Sequence, residues 1–373
     1  MSVPFIDLKA QYARIQDDVN AGIQRVLEHG KYIMGPEVAE FEAKLAEFCG
    51  AKHAITCSNG TDALSLGLMA YDVGPGDAIF TTPFTFFATA EVIALAGATP
   101  VFVDIDPKTF NMDPIKLSEA VEKITADGKL KPKGIIPVNL FGLAPDFDGI
   151  DAVARSYDLF VLEDTAQGFG GLYKGRVSGS LGDISSTSFF PAKPLGCYGD
   201  GGAVFTSDDD LAQRMRSIRV HGQGVDKYDN VRIGLNARFD TLQAAIMLPK
   251  LAIFPEEIDL RQKVANAYSQ ALNGLVETPF VPEDYKSVWA QYSVLSDHRE
   301  VIQAALKEAG IPSVVYYRIP CHLSKAFEYL GYNEGDMPES EKASKRIFSL
   351  PMHPYIEVGF ADQVADVVRA ALV

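Results

Sequence analysis

Long apolar runs, a leader-like start and closely spaced cysteines are all missing from this sequence of 373 residues. Without a run of about 18 apolar residues, no segment is expected to cross a membrane. Residues 1–7 contain neither the basic region nor the apolar run of a signal peptide. The 4 cysteines lie far apart, which argues against a dense disulfide framework. We therefore expect a protein of the reducing cytoplasm.

Basic residues are also scarce, because 34 Lys and Arg stand against 49 Asp and Glu, and the formal net charge is −15. An acidic chain repels phosphate backbones, so nucleic acid is not an expected partner. A locally positive pocket can still bind a nucleotide. The 6 histidines show no metal-ligand spacing, and we assign no metal site.

Short apolar runs alternate with helical patterns between about residue 50 and residue 210. The runs predict buried strands at 53–57, 78–81, 100–103, 134–139 and 159–162. The segments between them predict helices at 61–70, 89–96, 114–123 and 148–156. This alternation indicates an α/β fold with a mostly parallel sheet covered on both faces. Ligands of such sheets bind beyond the carboxyl ends of the strands.

The pattern changes after about residue 250. Helices are predicted at 256–272, 301–309 and 361–371 and a strand at 289–295, which indicates a smaller α+β unit. We therefore divide the chain into residues 1–250, an N-terminal segment with a large α/β domain, and residues 251–373, a small C-terminal α+β domain. A helix over 10–28 is expected to pack across domains or subunits.

The segment 58–64 (SNGTDAL) follows a predicted strand and opens a predicted helix. Free N–H groups and the positive end of such a helix can hold a phosphate. Gly60 permits close approach of that phosphate to the backbone. An ordinary capped helix start is the alternative.

Asp164 comes directly after the predicted strand 159–162. An acid at a strand end can pair with a buried cation such as a pyridinium nitrogen, whose protonated form makes the ring a better electron sink. A surface acid or a helix cap is the alternative.

Lys193 lies among aromatic residues, prolines and glycines (SFFPAK), although lysine normally occupies solvated surfaces. A partly desolvated lysine has a depressed pKa and can form a Schiff base. Ser188, five residues earlier, could add a hydroxyl to a phosphate site. The alternative is a lysine in an ordinary loop, followed by a glycine-rich hairpin at 196–202.

The aromatic segment 82–87 (TPFTFF) follows the predicted strand 78–81 and could supply a ring that stacks on a flat heterocycle. Core packing is the alternative. Taken together and in chain order, a phosphate cup, an aromatic ring, an acid and an activated lysine are the parts that a pyridoxal-phosphate site requires.

At these residues the sequence resembles the DegT/DnrJ/StrS family of nucleotide-sugar aminotransferases, which have the fold-type-I architecture of pyridoxal-phosphate enzymes. The likeness runs nearly end to end. It includes the segments PFIDL (4–8), YIMGPE (32–37), GTDAL (60–64), FTFFAT (84–89), EDTAQ (163–167), GDGG (199–202), GLNAR (234–238) and QAA (243–245). The resemblance implies a large, mostly parallel sheet domain, a smaller C-terminal α+β domain and a pyridoxal-phosphate-dependent aminotransferase.

The resemblance also implies roles for individual residues. Lys193 matches the lysine that forms the Schiff base with pyridoxal 5′-phosphate, and Asp164 matches the acid on its ring nitrogen. The other implied cofactor residues are Gly60, Thr61 and Ser188 at the phosphate, Phe86 stacked on the ring, Gln167 at the ring hydroxyl, and Asn236, which reaches the phosphate from a neighbouring subunit. A homodimer with shared active sites is therefore expected.

Within the family, the sequence SFFPAKPLG is most similar to enzymes that act at carbon 3 of a UDP-linked N-acetylamino-glucuronate in the synthesis of bacterial surface polysaccharide such as O-antigen. A substrate carboxylate favours arginine, and Arg238 and Arg318 are the candidates, with a surface ion pair as the alternative for each. Tyr316, Tyr317 and His322 complete the expected substrate contacts. The family more often has His at Tyr316 and Pro at Arg318, and His322 could equally be a structural imidazole.

The expected reaction transfers an amino group, with glutamate as the donor that the resemblance implies. Once the donor displaces it, the Lys193 amine is the expected general base, while Asp164 keeps the ring nitrogen charged. Some family members are dehydratases with His in place of this lysine, so Lys193 favours transamination. The alternatives are an aminotransferase on a UDP- or dTDP-linked 4-keto-6-deoxy sugar and a non-catalytic sensing or interaction protein on the same scaffold.

Overall fold

The structure is a computed structural model that describes residues 3–226 and 228–373, so the first two residues of the segment 1–7 lie outside the described part. Its helices are α1 (Leu8–His29), α2 (Pro36–Cys49), α3 (Gly60–Ala70), α4 (Ala88–Leu95), α5 (Pro114–Asp127), α6 (Phe147–Tyr157), α7 (Asp209–Ile218), α8 (Thr241–Ala271), α9 (Arg299–Glu308), α10 (Pro338–Arg346) and α11 (Phe360–Ala371). Its strands are β1 (His53–Cys57), β2 (Asp77–Thr81), β3 (Thr99–Phe102), β4 (Lys131–Ile136), β5 (Phe160–Asp164), β6 (Leu172–Tyr173), β7 (Arg176–Val177), β8 (Ile184–Ser188), β9 (Gly202–Thr206), β10 (Tyr285–Lys286), β11 (Tyr292–Leu295) and β12 (Ile347–Leu350).

The centre of the fold is a 7-stranded sheet with the order β1-β9-β8-β5-β4-β2-β3. Strand β9 pairs antiparallel with both β1 and β8, whereas the other neighbouring pairs are parallel. The mostly parallel sheet expected from the sequence is therefore confirmed. The carboxyl ends of β1, β2, β4, β5 and β8 meet at one edge of this sheet. Most candidate cofactor residues lie at the ends of these strands or in the segments that follow them.

Helices cover both faces of the sheet, as the near-continuous apolar runs of its strands require. Alternate residues of one strand enter different cores: Leu162 of β5 packs in the core that includes α3 and α7, and Val161 packs in the core that includes α5 and α6. A third core lies between α2, the N-terminal half of α8 and the opposite side of β9.

The elements that were not predicted include strands β8 and β9 of the central sheet and helices α2 and α7. Strand β8 (Ile184–Ser188, ISSTS) carries buried hydroxyl side chains instead of an apolar run; Ser185, for example, donates to Glu163 Oε2 at 2.6 Å. Strand β9 (Gly202–Thr206) begins at the last glycine of the segment 196–202, for which a glycine-rich hairpin is the alternative. Helix α2 had a detectable signal, because its apolar residues 38, 41, 45 and 49 recur at helical spacing and are buried.

The C-terminal region contains its own core, built from the second half of α8 with α9, α11, β11 and β12. Helix α8 begins at Thr241 rather than at 256, because Pro249 and Pro255 lie inside the helix instead of ending it. Strand β11 begins at Tyr292 rather than at 289, since Trp289 has a φ of 52° that a strand does not accommodate. The division at residue 250 stays a prediction, and that position lies within α8.

Candidate active site

Asp164 is the last residue of β5, and its carboxylate is buried. Thr89 Oγ1 on α4 donates to Oδ2 at 2.9 Å, and the backbone N–H of Ala166 donates to Oδ1 at 3.1 Å. Burial raises the pKa of Asp164, while these two donors and the charge of Lys193 oppose the rise. A cation placed against this carboxylate would favour its ionised form.

Lys193 follows β8 in the loop that leads to β9, and its backbone N–H donates to the Phe190 carbonyl at 2.9 Å. Desolvation lowers the pKa of Lys193, and the charge of Asp164 raises it in part. The amine therefore loses its proton more readily than a surface lysine does, so more of it is in the neutral form that can act as a nucleophile or accept a proton. The charge of the predicted acid thus acts on the predicted lysine.

Gln167 is buried and its amide orientation is fixed from both sides. Its Oε1 accepts from the backbone N–H of Phe141 at 2.7 Å, so Nε2 is the end that faces Tyr317, to whose hydroxyl it donates at 2.9 Å. An amide nitrogen carries two hydrogens, and the second remains for a ligand acceptor such as a ring hydroxyl. Tyr317, predicted as a substrate contact, thus directly contacts a predicted cofactor residue.

Gly60 opens α3, and the residue before it, Asn59, caps this helix by accepting from the N–H of Asp62 at 2.8 Å. The N–H groups of Gly60 and Thr61 are left without partners inside the helix, as at any helix start. A Cβ on Gly60 would lie 2.7 Å from Ser188 Cβ, so only glycine allows the start of the helix to approach the end of β8 this closely. These groups form a cradle of the kind that binds phosphate.

The aromatic segment after β2 contains both core rings and an open ring. Phe84 is fully buried and packs edge-on to Phe141 and Tyr317. Phe87 packs on Phe327 with ring centroids 5.0 Å apart. Phe86, by contrast, exposes 59% of its surface, so it is the ring of this segment that is free to stack on a ligand.

The predicted substrate arginines are both exposed. Arg238 Nε donates to Asn236 Oδ1 at 2.9 Å, which leaves its terminal nitrogens without an acceptor in the described part of the chain. Arg318 makes no hydrogen bond or ion pair with residues 3–226 or 228–373. Tyr316 is partly buried and precedes Tyr317 across a cis peptide bond. Among the residues that the structure describes, no hydrogen bond joins Asn236 to Gly60, Thr61 or Ser188.

His322 is buried, and its Nε2 lies 3.1 Å from Glu341 Oε1. Its Nδ1 has no hydrogen-bond partner among the described residues. The imidazole is therefore held inside the protein by α10, and its role as a substrate contact stays a prediction. No group of three or more His, Cys, Asp and Glu in the described residues is placed to hold a metal ion.

Thr89 was not assigned a role from the sequence, although it directly contacts Asp164. Its hydroxyl also lies 3.0 Å from that of Thr85, in the segment before α4, so two threonines support the buried carboxylate. A Thr–Thr pair at a spacing of four residues is common in sequences and carries no specific signal. Only the fold, which sets α4 against the end of β5, shows the contact.

Comparisons with known proteins agree with this geometry. The model of the DegT/DnrJ/EryC1/StrS aminotransferase family matches residues 13–369. The chain belongs to this family. It is 53% identical over 356 residues to UDP-2-acetamido-2-deoxy-3-oxo-D-glucuronate aminotransferase of Pseudomonas aeruginosa, covering 95% of this chain and 96% of that one. A crystal structure of a family aminotransferase from Brucella abortus superimposes with a TM-score of 0.96 at 50% identity, and 99% of each chain is covered. DesV of S. venezuelae, solved in complex with a ketimine intermediate, gives a TM-score of 0.94 at 35% identity and covers 99% of this chain and 98% of that chain.

This family member is a pyridoxal-phosphate-dependent sugar aminotransferase. The residues present fit the cofactor. The N–H groups at the start of α3 would bind the phosphate, and the fixed Gln167 amide would offer a free hydrogen to the ring hydroxyl. The buried carboxylate of Asp164 has no hydrogen-bonded cation among the described residues, and the exposed ring of Phe86 is available for stacking. In the described residues, no helix is long and apolar enough to cross a membrane.

Proposed function

We propose that this aminotransferase converts a UDP-linked 3-keto-N-acetylamino-glucuronate to its 3-amino sugar, for bacterial surface polysaccharide. The observation that carries the proposal is the 53% identity, over nearly the whole of both chains, to a protein named for that substrate. A second relative, 37% identical over 372 residues, is named as a 3-aminotransferase of a UDP-linked 3-dehydro-glucosamine. Amination at carbon 3 is thus common to both names.

The exposed arginines support a substrate that carries a carboxylate. Arg238 has terminal nitrogens without acceptors, and Arg318 has no acceptor at all among the described residues. A planar guanidinium binds a carboxylate through two parallel hydrogen bonds. A 4-keto-6-deoxy sugar has a methyl group in place of that carboxylate and would leave such an arginine unused.

Each side chain of the site has a separate role in amino transfer. Bound pyridoxal phosphate supplies an electron sink for the developing carbanion. Asp164 would hold the ring nitrogen protonated, and Thr89 holds Asp164 in place. Lys193, whose lowered pKa favours the neutral amine, would form the covalent link to the cofactor and, as a free amine, would move the proton at the reacting carbon.

We propose glutamate as the amino donor and the cytoplasm as the location. After the half-reaction the same pocket must accept a second substrate with a carboxylate. The exposed guanidinium groups of Arg238 and Arg318 would serve both substrates in turn. Assays with single amino acids, read as conversion of the bound cofactor to its aminated form, identify the donor.

We further propose that the active enzyme is a homodimer with shared sites. A single chain leaves large apolar side chains exposed, among them Tyr32, Ile33, Phe190, Val231 and Ile233. It also leaves Asn236 and Arg238 exposed, and no hydrogen bond among the described residues joins Asn236 to the cradle that the resemblance assigns to it. A second copy that covers these surfaces would bring its Asn236 to the phosphate.

Product analysis tests the substrate. The purified enzyme is incubated with glutamate and either the UDP-linked 3-keto glucuronate or a UDP- or dTDP-linked 4-keto-6-deoxy sugar, and the amino sugar is identified by mass spectrometry. We expect product from the 3-keto glucuronate only. Preferred conversion of the 4-keto sugar would overturn the proposal. Reduction with borohydride followed by peptide mapping should place the cofactor on Lys193, and a label at another lysine would reject that assignment.

Mixing two inactive variants tests the shared site. Lys193→Ala subunits keep Asn236, and Asn236→Ala subunits keep Lys193, so a mixed dimer contains one intact site and one doubly altered site. We expect activity to return after the two variants are unfolded and refolded together. If activity does not return although mixed dimers form, the shared site is wrong.

A further inference from the structure

Lys250 on α8 is a fully buried lysine that none of the site assignments includes. Its Nζ donates to the carbonyl of Gly196 at 2.6 Å and lies 4.1 Å from the centroid of the Tyr198 ring. Gly196 and Tyr198 belong to the loop that carries Lys193. We call residues 189–201, which connect β8 to β9, the lysine loop. The buried ammonium of Lys250 therefore contacts the second limb of this loop, which leads from Lys193 to β9.

The surroundings of Lys250 show why its position is unusual. Removing an ammonium from water is costly, and proteins normally pair such a group with a carboxylate. In the described residues Lys250 has no such ion pair, and its partners are a carbonyl and an aromatic face. Desolvation accordingly lowers the pKa of Lys250 to about 8. An apolar side chain of similar length would avoid this desolvation cost. The feature that only the lysine provides is its contact with the lysine loop.

Backbone hydrogen bonds close the lysine loop at its base, and side chains of α8 hold its second limb. The backbone N–H of Phe189 donates to Gly201 at 2.7 Å, and that of Cys197 donates to the Phe189 carbonyl at 2.7 Å. Gln243, also on α8, accepts from the N–H of Tyr198 at 2.9 Å and donates to its carbonyl at 3.2 Å. Helix α8 thus fixes the limb from Gly196 to Tyr198 by side chains from two of its turns.

A shift at Gly196 would be transmitted to Lys193 because the turn between them is tight. A Cβ at Gly196 would lie 2.6 Å from the carbonyl oxygens of both Phe190 and Pro191. The two limbs of the loop are therefore in direct contact at this point. Since Lys193 N–H also donates to the Phe190 carbonyl, a displaced Gly196 would press on the backbone that orients Lys193.

We propose that Lys250 is a positioning residue for Lys193, which it holds in the geometry for the cofactor link by anchoring the Gly196 carbonyl to α8. This inference rests on the proposed role of Lys193 as the cofactor lysine. Lys250 itself touches neither the cofactor cradle nor Asp164 by any hydrogen bond. Its effect acts through the loop.

The test replaces Lys250 by Met, which has a similar volume and removes the buried charge together with its hydrogen bond. Loss of a charged donor to a buried carbonyl corresponds to roughly a tenfold change in an equilibrium. We expect bound pyridoxal phosphate to dissociate about tenfold faster and kcat to fall by a similar factor, with an unchanged KM for the keto sugar. The visible circular dichroism of the bound cofactor, which reports the orientation of its link to Lys193, should change as well.

Arg261→Met is the matched control. Arg261 is a second buried cation on α8, and it also donates to carbonyls, those of Trp289 and Met352 at 3.1 and 3.2 Å. Its variant should lose thermal stability and keep the cofactor release rate and the visible circular dichroism of the unaltered enzyme. The contrast separates an effect on the lysine loop from the general effect of removing a buried cation.

If Lys250→Met does not fold, Lys250→Gln keeps a polar donor in the same cavity but is one bond too short for the contact with Gly196, and the same changes are expected. Unaltered cofactor release, dichroism and kcat in a folded Lys250 variant would overturn the inference. Failure of the proposed cofactor lysine is distinguishable, since borohydride labelling of the unaltered enzyme would then miss Lys193.

Discussion

Thr89 Oγ1 donates a 2.9 Å hydrogen bond to Asp164 Oδ2, and this bond connects the first turn of α4 to the carboxyl end of β5. Both side chains are buried, so water does not replace the donor when it is removed. The threonine therefore acts on the charge of the acid that is proposed to hold the ring nitrogen of the cofactor.

Thr89→Val should lower kcat by about tenfold, because loss of a donor to a buried carboxylate costs about 1–3 kcal/mol. The pKa of Asp164, already raised by burial, would rise further, and a protonated acid no longer holds the ring nitrogen charged. Steady-state kinetics and the visible spectrum of the holoenzyme measure the effect. Thr81→Val is the control, since the Thr81 hydroxyl is also buried and donates at 2.9 Å, to the Ile136 carbonyl. Equal losses in both variants would contradict the specific role of Thr89.

Asp164→Asn should shift the pH dependence of cofactor capture by the apoenzyme to lower pH. Only the neutral Lys193 amine attacks the aldehyde, so the capture rate rises as pH increases through the pKa of Lys193. Burial holds that pKa below the ordinary lysine value of 10.5, and Asp164 raises it in part. Removing the carboxylate charge therefore lowers the pKa further.

The capture rate is measured by stopped-flow absorbance across a pH series, with Asp200→Asn as the control because Asp200 is an exposed acid in the same loop. A midpoint that moves upward in Asp164→Asn would show that the carboxylate does not stabilise the lysine cation. Turnover of this variant should also fall steeply, since an amide cannot hold the ring nitrogen charged.

The sheet and much of the site could be predicted because parallel strands place their following residues at one edge. Asp164 could be predicted as an acid at the end of a strand, and Lys193 as a lysine among aromatic residues, prolines and glycines. In the structure the charge of Asp164 acts on the pKa of Lys193. Strand β8 was missed because its hydroxyl side chains are satisfied by distant partners such as Glu163, which no local pattern shows. Lys250 was missed for the same reason, since its partner Gly196 is 54 positions away.

The substrate side could be predicted less well because the contacts proposed for it involve groups outside the single chain. Asn236 and Arg238 are exposed and hydrogen-bonded to each other, and the ligands proposed for them are a phosphate at a second subunit and the sugar. His322 illustrates a different limit. From the sequence alone, a histidine can be a ligand contact or a buried side chain with a structural hydrogen bond. Only the fold shows that Nε2 of His322 is hydrogen-bonded to Glu341.

Gly60→Ala should weaken pyridoxal-phosphate binding by at least about tenfold, because the added methyl group would lie 2.7 Å from Ser188 Cβ and narrow the cradle. Equilibrium titration of the apoenzyme by visible absorbance measures the dissociation constant. Gly67→Ala is the control on the same helix, since its Cβ would meet Leu162 Cδ1 at 2.9 Å in the core and not in the cradle. That variant should lose stability and keep cofactor affinity. Equal affinity in Gly60→Ala and the unaltered enzyme would place the phosphate elsewhere.

Tyr317→Phe should lower cofactor affinity and kcat by about fivefold, as expected for the loss of one hydrogen bond of about 1 kcal/mol, with little change in KM for the keto sugar. The removed hydroxyl accepts from Gln167 Nε2 at 2.9 Å and helps to hold that amide toward the ring hydroxyl of the cofactor. Tyr268→Phe serves as the control, because the Tyr268 hydroxyl is buried and donates to the Pro351 carbonyl at 3.0 Å within the C-terminal core. Its loss should affect stability alone. A Tyr317→Phe variant with an increased KM for the sugar and unchanged cofactor affinity would instead make Tyr317 a substrate contact, since the phenol would then act on the ligand and not through Gln167.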